Sequence, residues 1–383
     1  MLFSLNSDMK TKQDVIIIGG GLAGLAAAIH LSKKGLKVTL IEKSEFPRHK
    51  VCGEYISNET LPYLLWLDID VLSLSPQKIT SFEFTTQNGR IAKVKLPLGG
   101  FGISRYLLDS TLYEKALSNG CQILKETVTD ISFQNDEFSV ATSNAKVSAK
   151  LVLGAFGKRS NIDQFLARDF ITKKSPWLAV KAHYSGTVPN DTVALHNFNG
   201  GYCGVSKVEN DIINICYLAD YATFKKYKNI EEYQKNVLYK NKYLKSVFEK
   251  STLLFDKPLT ISQICFDKKQ PVENHILMIG DSAGLIHPMC GNGMAMAIHS
   301  AKIASELILD YHIGVIPSRN SLEKNYATEW KKHFSKRLTM GRLLSHALTN
   351  KTITNMFMKI VTAIPVLLYQ IIKQTHGKPI SVN

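Results

Sequence analysis

Three glycines, Gly19, Gly21 and Gly24, form G-x-G-x-x-G directly after the β-branched run Asp14 to Ile18. They allow, in turn, a tight turn, close approach of backbone to a diphosphate, and close packing of helix on strand. A helix opening at Leu22 then turns its positive end toward the anion. Glu42 closes a second strand, Lys37 to Glu42, where a carboxylate accepts the hydroxyls of a ribose. The same charge repels a 2′-phosphate, so this pocket suits FAD or NAD rather than NADP. Leu22, Ala23 and Lys43 flank these positions and join them as cofactor-binding candidates.

Other reactive side chains stand further along. Cys52 lies close to Arg48 and Lys50 and just before Gly53, and cations near a thiol lower its pKa. It reads either as a group at the reaction centre or as a small packing residue. His287, immediately before Pro288, is a candidate proton donor or substrate-orienting group, with a backbone-satisfied histidine as the alternative. Tyr202 is the candidate that projects from a substrate-binding sheet, His49 reads as solvent-facing, and Glu54 as a balance to the basic cluster. The six cysteines are scattered without C-x-x-C or metal-ligand spacing, which suggests free thiols, a reducing compartment and no metal. No nucleophilic triad is evident.

The stretch Ile279-Gly280-Asp281-Ser282-Ala283-Gly284-Leu285-Ile286-His287-Pro288-Met289-Cys290-Gly291-Asn292-Gly293-Met294 carries a second glycine-rich turn. It resembles the G-D-A-A-G-x-x-x-P-x-x-G-x-G motif of FAD-dependent aromatic hydroxylases and geranylgeranyl reductases. The resemblance implies that Asp281 holds the ribityl chain and that the turn after Pro288, through Gly291, Asn292, Gly293 and Met294, lies against the flavin. The physics agrees, because a helix beginning near Asn292 would aim N–H groups at the negative charge of reduced flavin.

Arg48-His49-Lys50-Val51-Cys52-Gly53-Glu54 looks like the R-x-K-x-C-G segment of the reductase branch, which implies passage beside the flavin. Arg105, after Ser104, matches an arginine that contacts the cofactor in many members. Gly154-Ala155-Phe156-Gly157-Lys158-Arg159-Ser160 resembles the family's G-A-D-G-x-x-S segment, with Phe156 in place of its aspartate. That departure puts the route of flavin reduction in question. Of the reductases' P-x-Y-x-W-x-F-P signature only Tyr202 survives, with Gly204 where tryptophan is expected. The flavin halogenases share a G-E segment near Gly53-Glu54, but their W-x-W-x-I-P sequence is missing. The resemblance runs to about Ala304, strongly at its two ends and loosely between them.

The elements that must position these groups follow from periodicity. A βαβ opening, with helix from about Leu22 to Lys34 and a stop at Gly35, implies an α/β, Rossmann-like FAD-binding domain with a parallel sheet. Arg105 to Asn119 reads as helix, followed by short strands at Cys121–Lys125, Val128–Phe133, Phe138–Thr142 and Leu151–Gly154; Val128 is one more cofactor candidate. From Trp177 to Ile264 alternating segments suggest an inserted antiparallel substrate sheet with a polar helix near Asn229 to Lys240. A short strand Ile276–Ile279 and a helix Gly293–Leu309 return the chain to the cofactor, and past Pro317 it reads as wholly helical. The expected division is residues 10–175 with 265–310 for FAD, 176–264 for substrate, and a helical region 311–383.

Composition bounds the rest. With 45% hydrophobic and 21% charged residues the chain is an ordinary globular protein, but its net charge of +15 is unusual. That charge favours an anionic membrane surface or an acidic carrier protein; no interleaved aromatic-basic motif supports nucleic acid. The N-terminal stretch lacks an apolar core, so no signal peptide is expected, and Met9 reads as the start of the ordered chain. A cytoplasmic location, peripheral to the inner face of a membrane, is the expectation. The longest apolar run, Ile360 to Ile372, is broken by Pro365 and flanked by Lys359 and Lys373, so it reads as a buried or partner-facing helix or as an interfacial contact.

The leading functional reading is an FAD enzyme that hydroxylates or reduces a hydrophobic aromatic, polyketide or isoprenoid substrate, with NADH or NADPH as candidate electron donor. A non-redox or cyclase-like flavoprotein and an NAD-dependent dehydrogenase are the alternatives.

Overall fold

The structure, a computed structural model, describes residues 12–349 and 351–382. Met9 lies outside the described residues. Two sheets share the chain. In the first, the neighbours run Val272–Glu273, Ile276–Met278, Lys146–Gly154, Lys12–Ile18, Val38–Ile41 and Gln122–Leu124. From Ile276–Met278 onward every adjacent pair in that row is parallel. The strand Lys12–Ile18 has Val15 to Ile18 buried, as a strand covered on both faces requires. A meander of Val128–Gln134 and Glu137–Thr142 attaches to Lys146–Gly154.

Helix Leu22–Lys33 covers this sheet and packs on helix Gly293–His312. Ala26, Ala27 and Ala28 are all fully buried, so the helix is enclosed on more than one side. Helix Arg105–Ser118 is started by the Ser104 hydroxyl, which accepts from Leu107 N at 3.1 Å.

The second sheet orders Ser251–Leu253, Trp177–Gly186, Ile213–Asp220, Gly201–Lys207, Thr192–Phe198, Gln77–Thr85, Ile91–Gly102 and Tyr55–Ser57, with Leu259–Ser262 also on Trp177–Gly186. The division expected from sequence is therefore corrected. Residues 55–102 belong to this sheet, not to the cofactor sheet, and Thr192–Phe198 joins Gln77–Thr85 in parallel. A parallel pair needs no local hairpin, so nothing near either strand in sequence announces the partnership. The C-terminal region forms helices Arg319–Thr349, Lys351–Ala363 and Pro365–Thr375, the last two meeting at 110° across Pro365.

Two core histidines, His30 and His196, and the half-buried His299 tie stability to pH. His196 Nδ1 pairs with Thr85 Oγ1 at 2.8 Å and His30 Nδ1 with the Tyr63 hydroxyl at 2.8 Å. Burial lowers His196 to about 4 and His30 and His299 to about 3. In the unfolded chain these rings take up protons near 6.5, which the fold refuses. Stability is therefore complete above about pH 6.5 and falls toward pH 4, by roughly 1.4 kcal/mol per pH unit for each ring. Urea midpoints at pH 7.5 and 5 should show that loss, with a shallower dependence in His196→Gln; a flat profile would contradict it.

Candidate active site

A cavity of about 690 Å³ runs between the two sheets and ends beneath the C-terminal helices. At one end Gly19 (φ +109°) lies so close to the strand end Lys146–Gly154 that a Cβ would stand 2.3 Å from the Ala155 carbonyl oxygen. A Cβ on Gly24 would meet the Gly19 oxygen at 1.9 Å, so Gly24 packs rather than lines the cavity. Gly21, by contrast, has open space beside it and precedes Leu22–Lys33 without any side-chain cap. The first N–H groups of that helix are thus left for a ligand.

Glu42 Oε2 accepts from Gly20 N at 2.8 Å, and Oε1 from Ser44 N and Arg48 Nη2, both at 3.0 Å. These three bonds fill most of a carboxylate's roughly four acceptor positions, which leaves room for about one ribose hydroxyl rather than two. Lys43, Leu22 and Ala23 line the same end.

The second glycine-rich turn reaches this cavity from a distant part of the sequence. Ile279 N donates to Gly154 O at 3.0 Å, and at Gly280 (φ +61°) a Cβ would lie 3.0 Å from the Ala23 Cβ. Asp281, Pro288, Gly291, Gly293 and Met294 line the wall. Asn292 does not; it is buried, donating to Glu59 Oε1 at 3.4 Å and accepting from Arg337 Nη1 at 3.0 Å. Val128 and Gly154 are also absent from the lining, Gly154 being pressed against Met278 and Phe156.

Between the turns stand Arg48, Lys50, Cys52, Gly53 and Arg105. Of the two cations expected beside the thiol, Lys50 binds the fully buried Asp109 at 2.8 Å and Arg48 binds Glu42 at 3.0 Å. Arg105, held by Asp109 at 2.6 Å, is the cation that also hydrogen-bonds Cys52. Burial brings Lys50 down to about 8. Burial opposes ionisation of Asp109, but Arg105 and then Lys50 outweigh it and hold the carboxyl below its usual range. Cys52 Sγ touches Met294 Sδ at 3.4 Å, across the cavity segment that joins both motifs.

His49 and Glu54 differ from the sequence expectation. His49 is half-buried, its ring against Tyr106, His183 and Phe255, and burial lowers it to about 4. Glu54 is wholly buried at φ +52°, accepting from Arg105 N at 2.9 Å, Lys181 Nζ at 3.1 Å and His183 Nε2 at 2.6 Å. Burial works against its charge, but His183 and Lys181 prevail and keep it below the usual carboxylate range. His49, Glu54 and His183 bring their ligand atoms within 4.8 Å of one another, yet the Lys181 ammonium already competes for that carboxylate.

His287 is not in the cavity lining; it is buried among Trp177, Tyr202 and Phe266. Tyr202 does line the cavity, and burial raises its hydroxyl far above the ordinary range. The apolar half was unforeseen: Phe82, Phe84, Val193 and Leu195 from the second sheet face Leu368 and Ile372 from the last helix. Two signals were available, the period-two spacing 82/84 and 193/195 and the helical spacing 368/372.

The family described as FAD binding domain matches residues 12–312. The chain belongs to that family. An uncharacterized protein of Methanosarcina barkeri is 27% identical over 330 residues, covering 83% of this chain and 80% of that protein. A digeranylgeranylglycerophospholipid reductase of Methanosarcina mazei is 23% identical, covering 90% and 86%. A solved flavin-dependent brominase superposes with a TM-score of 0.79 at 18% identity, covering 95% and 93%; that likeness concerns the fold. The cofactor is FAD, and the uncapped helix start, the open side of Gly21 and the shared wall of both turns fit it.

Two variants test this site. Gly24→Val should yield protein without flavin absorbance, because its side chain displaces the Gly19 carbonyl. Lys181→Met should cost about 3–5 kcal/mol by stranding a buried carboxylate, and Glu54→Gln in the same chain should recover part of it in denaturation midpoints. Equal stability of Lys181→Met and the unmodified protein would contradict the pairing.

Proposed function

We propose that this FAD-dependent oxidoreductase reduces carbon–carbon double bonds of a long isoprenoid or polyene substrate. The observation that carries the reading is the apolar half of the cavity, where Phe82, Phe84, Leu195, Leu368 and Ile372 continue the wall beyond Cys52 and Met294. Such a lining desolvates a hydrocarbon chain and offers it no polar anchor. The reductase relatives and the R-x-K-x-C-G segment support the same substrate class.

When bound, FAD supplies the two-electron chemistry, and a reductant such as NADH or NADPH must restore it. The protein's part is placement and protons. Gly21 and the start of helix Leu22–Lys33 would hold the diphosphate, Glu42 a ribose hydroxyl, and Asp281 the ribityl chain. Arg105, fixed by Asp109, stands as cation near the ring. Cys52 Sγ is the candidate proton donor to the alkene, backed by Met294, while the aliphatic wall excludes water. Tyr202 shapes the pocket. His287, outside the lining, acts as a positioning residue by fixing the Tyr202 ring.

Anaerobic incubation of the pre-reduced protein with geranylgeraniol should give products heavier by two hydrogens per reduced bond. Cys52→Ala should slow that conversion by about 10²-fold or more while leaving flavin absorbance intact. Oxygen-dependent incorporation of labelled oxygen, with no saturation, would replace this reading with monooxygenation.

A further inference from the structure

The helix pair Lys351–Ala363 and Pro365–Thr375 is apolar on both of its sides. Toward the protein, Met358, Val361, Leu368 and Ile372 are buried. Toward solvent, Ile353, Met356 and Ile360 form one stripe at i, i+3 and i+7, continued across the bend by Ile364, Val366 and Leu367. All six are exposed, Met356 by 58% and Val366 by 66%. Water-facing apolar patches of this kind mark a contact site.

The charge around that patch says which contact. From Lys331 to Asn383 the chain carries nine lysines and arginines and no aspartate or glutamate. Lys359 and Lys373 are exposed within the two helices, at i+3 from Met356 and i+7 from Val366, on the same faces as the apolar stripe. Lys331, Lys332 and Lys336 on the preceding helix and Lys378 after the pair are exposed too. Among the described residues no single helix is long and apolar enough to cross a membrane; the pair together, bent by 110°, has the length and composition of a broken or re-entrant span, but its inner face is buried against the protein, which leaves one face for lipid.

We propose that this helix pair docks on an anionic lipid bilayer, its exposed stripe sunk into the interface and its lysines on the headgroups. The inner face of the same pair, through Phe357, Leu368, Ile371 and Ile372, closes the apolar end of the cavity. Docking therefore sets that end against the lipid, a consequence that rests on the substrate reading above although the docking itself does not.

Co-sedimentation of the full chain with phosphatidylcholine vesicles, with and without about a third phosphatidylglycerol, tests it. Binding should need the anionic lipid and weaken about tenfold or more when salt rises from about 0.05 to 0.3 M. Lys359→Glu/Lys373→Glu and Ile360→Asn/Val366→Asn should each lower binding about tenfold, with flavin absorbance unchanged. Equal binding to neutral vesicles, or no loss in either double variant, would overturn the proposal. So would a concentration-dependent dimer that Ile360→Asn/Val366→Asn abolishes, since the patch would then face a second copy. The wild-type lipid comparison stands even where a variant fails to fold, and turnover of detergent-dispersed geranylgeraniol tests the catalytic reading separately.

Discussion

A single charge withdrawn from water, the carboxylate of Glu54, sets the geometry in which everything else works. It is fully buried where the loop leaving the cofactor sheet, the start of helix Arg105–Ser118 and the strand Trp177–Gly186 converge. An ion there is tolerable only if each oxygen is satisfied, and Lys181, His183 and Arg105 N do that from two separate elements. Its own carbonyl accepts from Ile103 N, so the backbone is held as well. The residue sits in the left-handed region, a conformation rare for a side chain of this kind and kept only where surroundings dictate it. Cys52 and Gly53 immediately precede it, which fixes the thiol's place at the cavity wall.

A second withdrawn carboxylate does the same at the other end. Glu59 binds Arg337, Asn292 and Gly377 N, and its carbonyl accepts from Ile380 N. The start of helix Gly293–His312, the long helix Arg319–Thr349 and the C-terminal tail are drawn to one point. The two acids bracket the segment 54–59, which thereby aligns the cofactor turn with the helices that close the apolar end.

Local signals make the cofactor half legible. Gly19, Gly21, Gly24 and Glu42 stand out because a diphosphate leaves few ways for backbone to approach it, and Asp281 and Gly291 repeat that constraint. Arg105–Ser118 is legible from its period and its serine cap. What escapes is long-range. The pairing of Gln77–Thr85 with Thr192–Phe198 depends on closure of the whole molecule, and Lys181 and His183 look like ordinary polar positions in a strand until Glu54 is placed beside them. His49 misleads for the same reason, since its neighbours Phe255 and His183 come from distant segments. Asn292 falls in the flavin motif, but its side chain serves Glu59 and Arg337.

The route of the chain between its two sheets has an evolutionary corollary. Residues 55–102 and 177–262 build one sheet, while the strands of 122–154, lying between them in sequence, belong to the other. The polypeptide therefore crosses repeatedly from layer to layer. A segment 177–262 imported alone from a relative would have to re-form the pairing of its own strand with Gln77–Thr85, across side chains selected beside a different neighbour. A new specificity arriving as such a segment must therefore match a wall that the rest of the chain already builds.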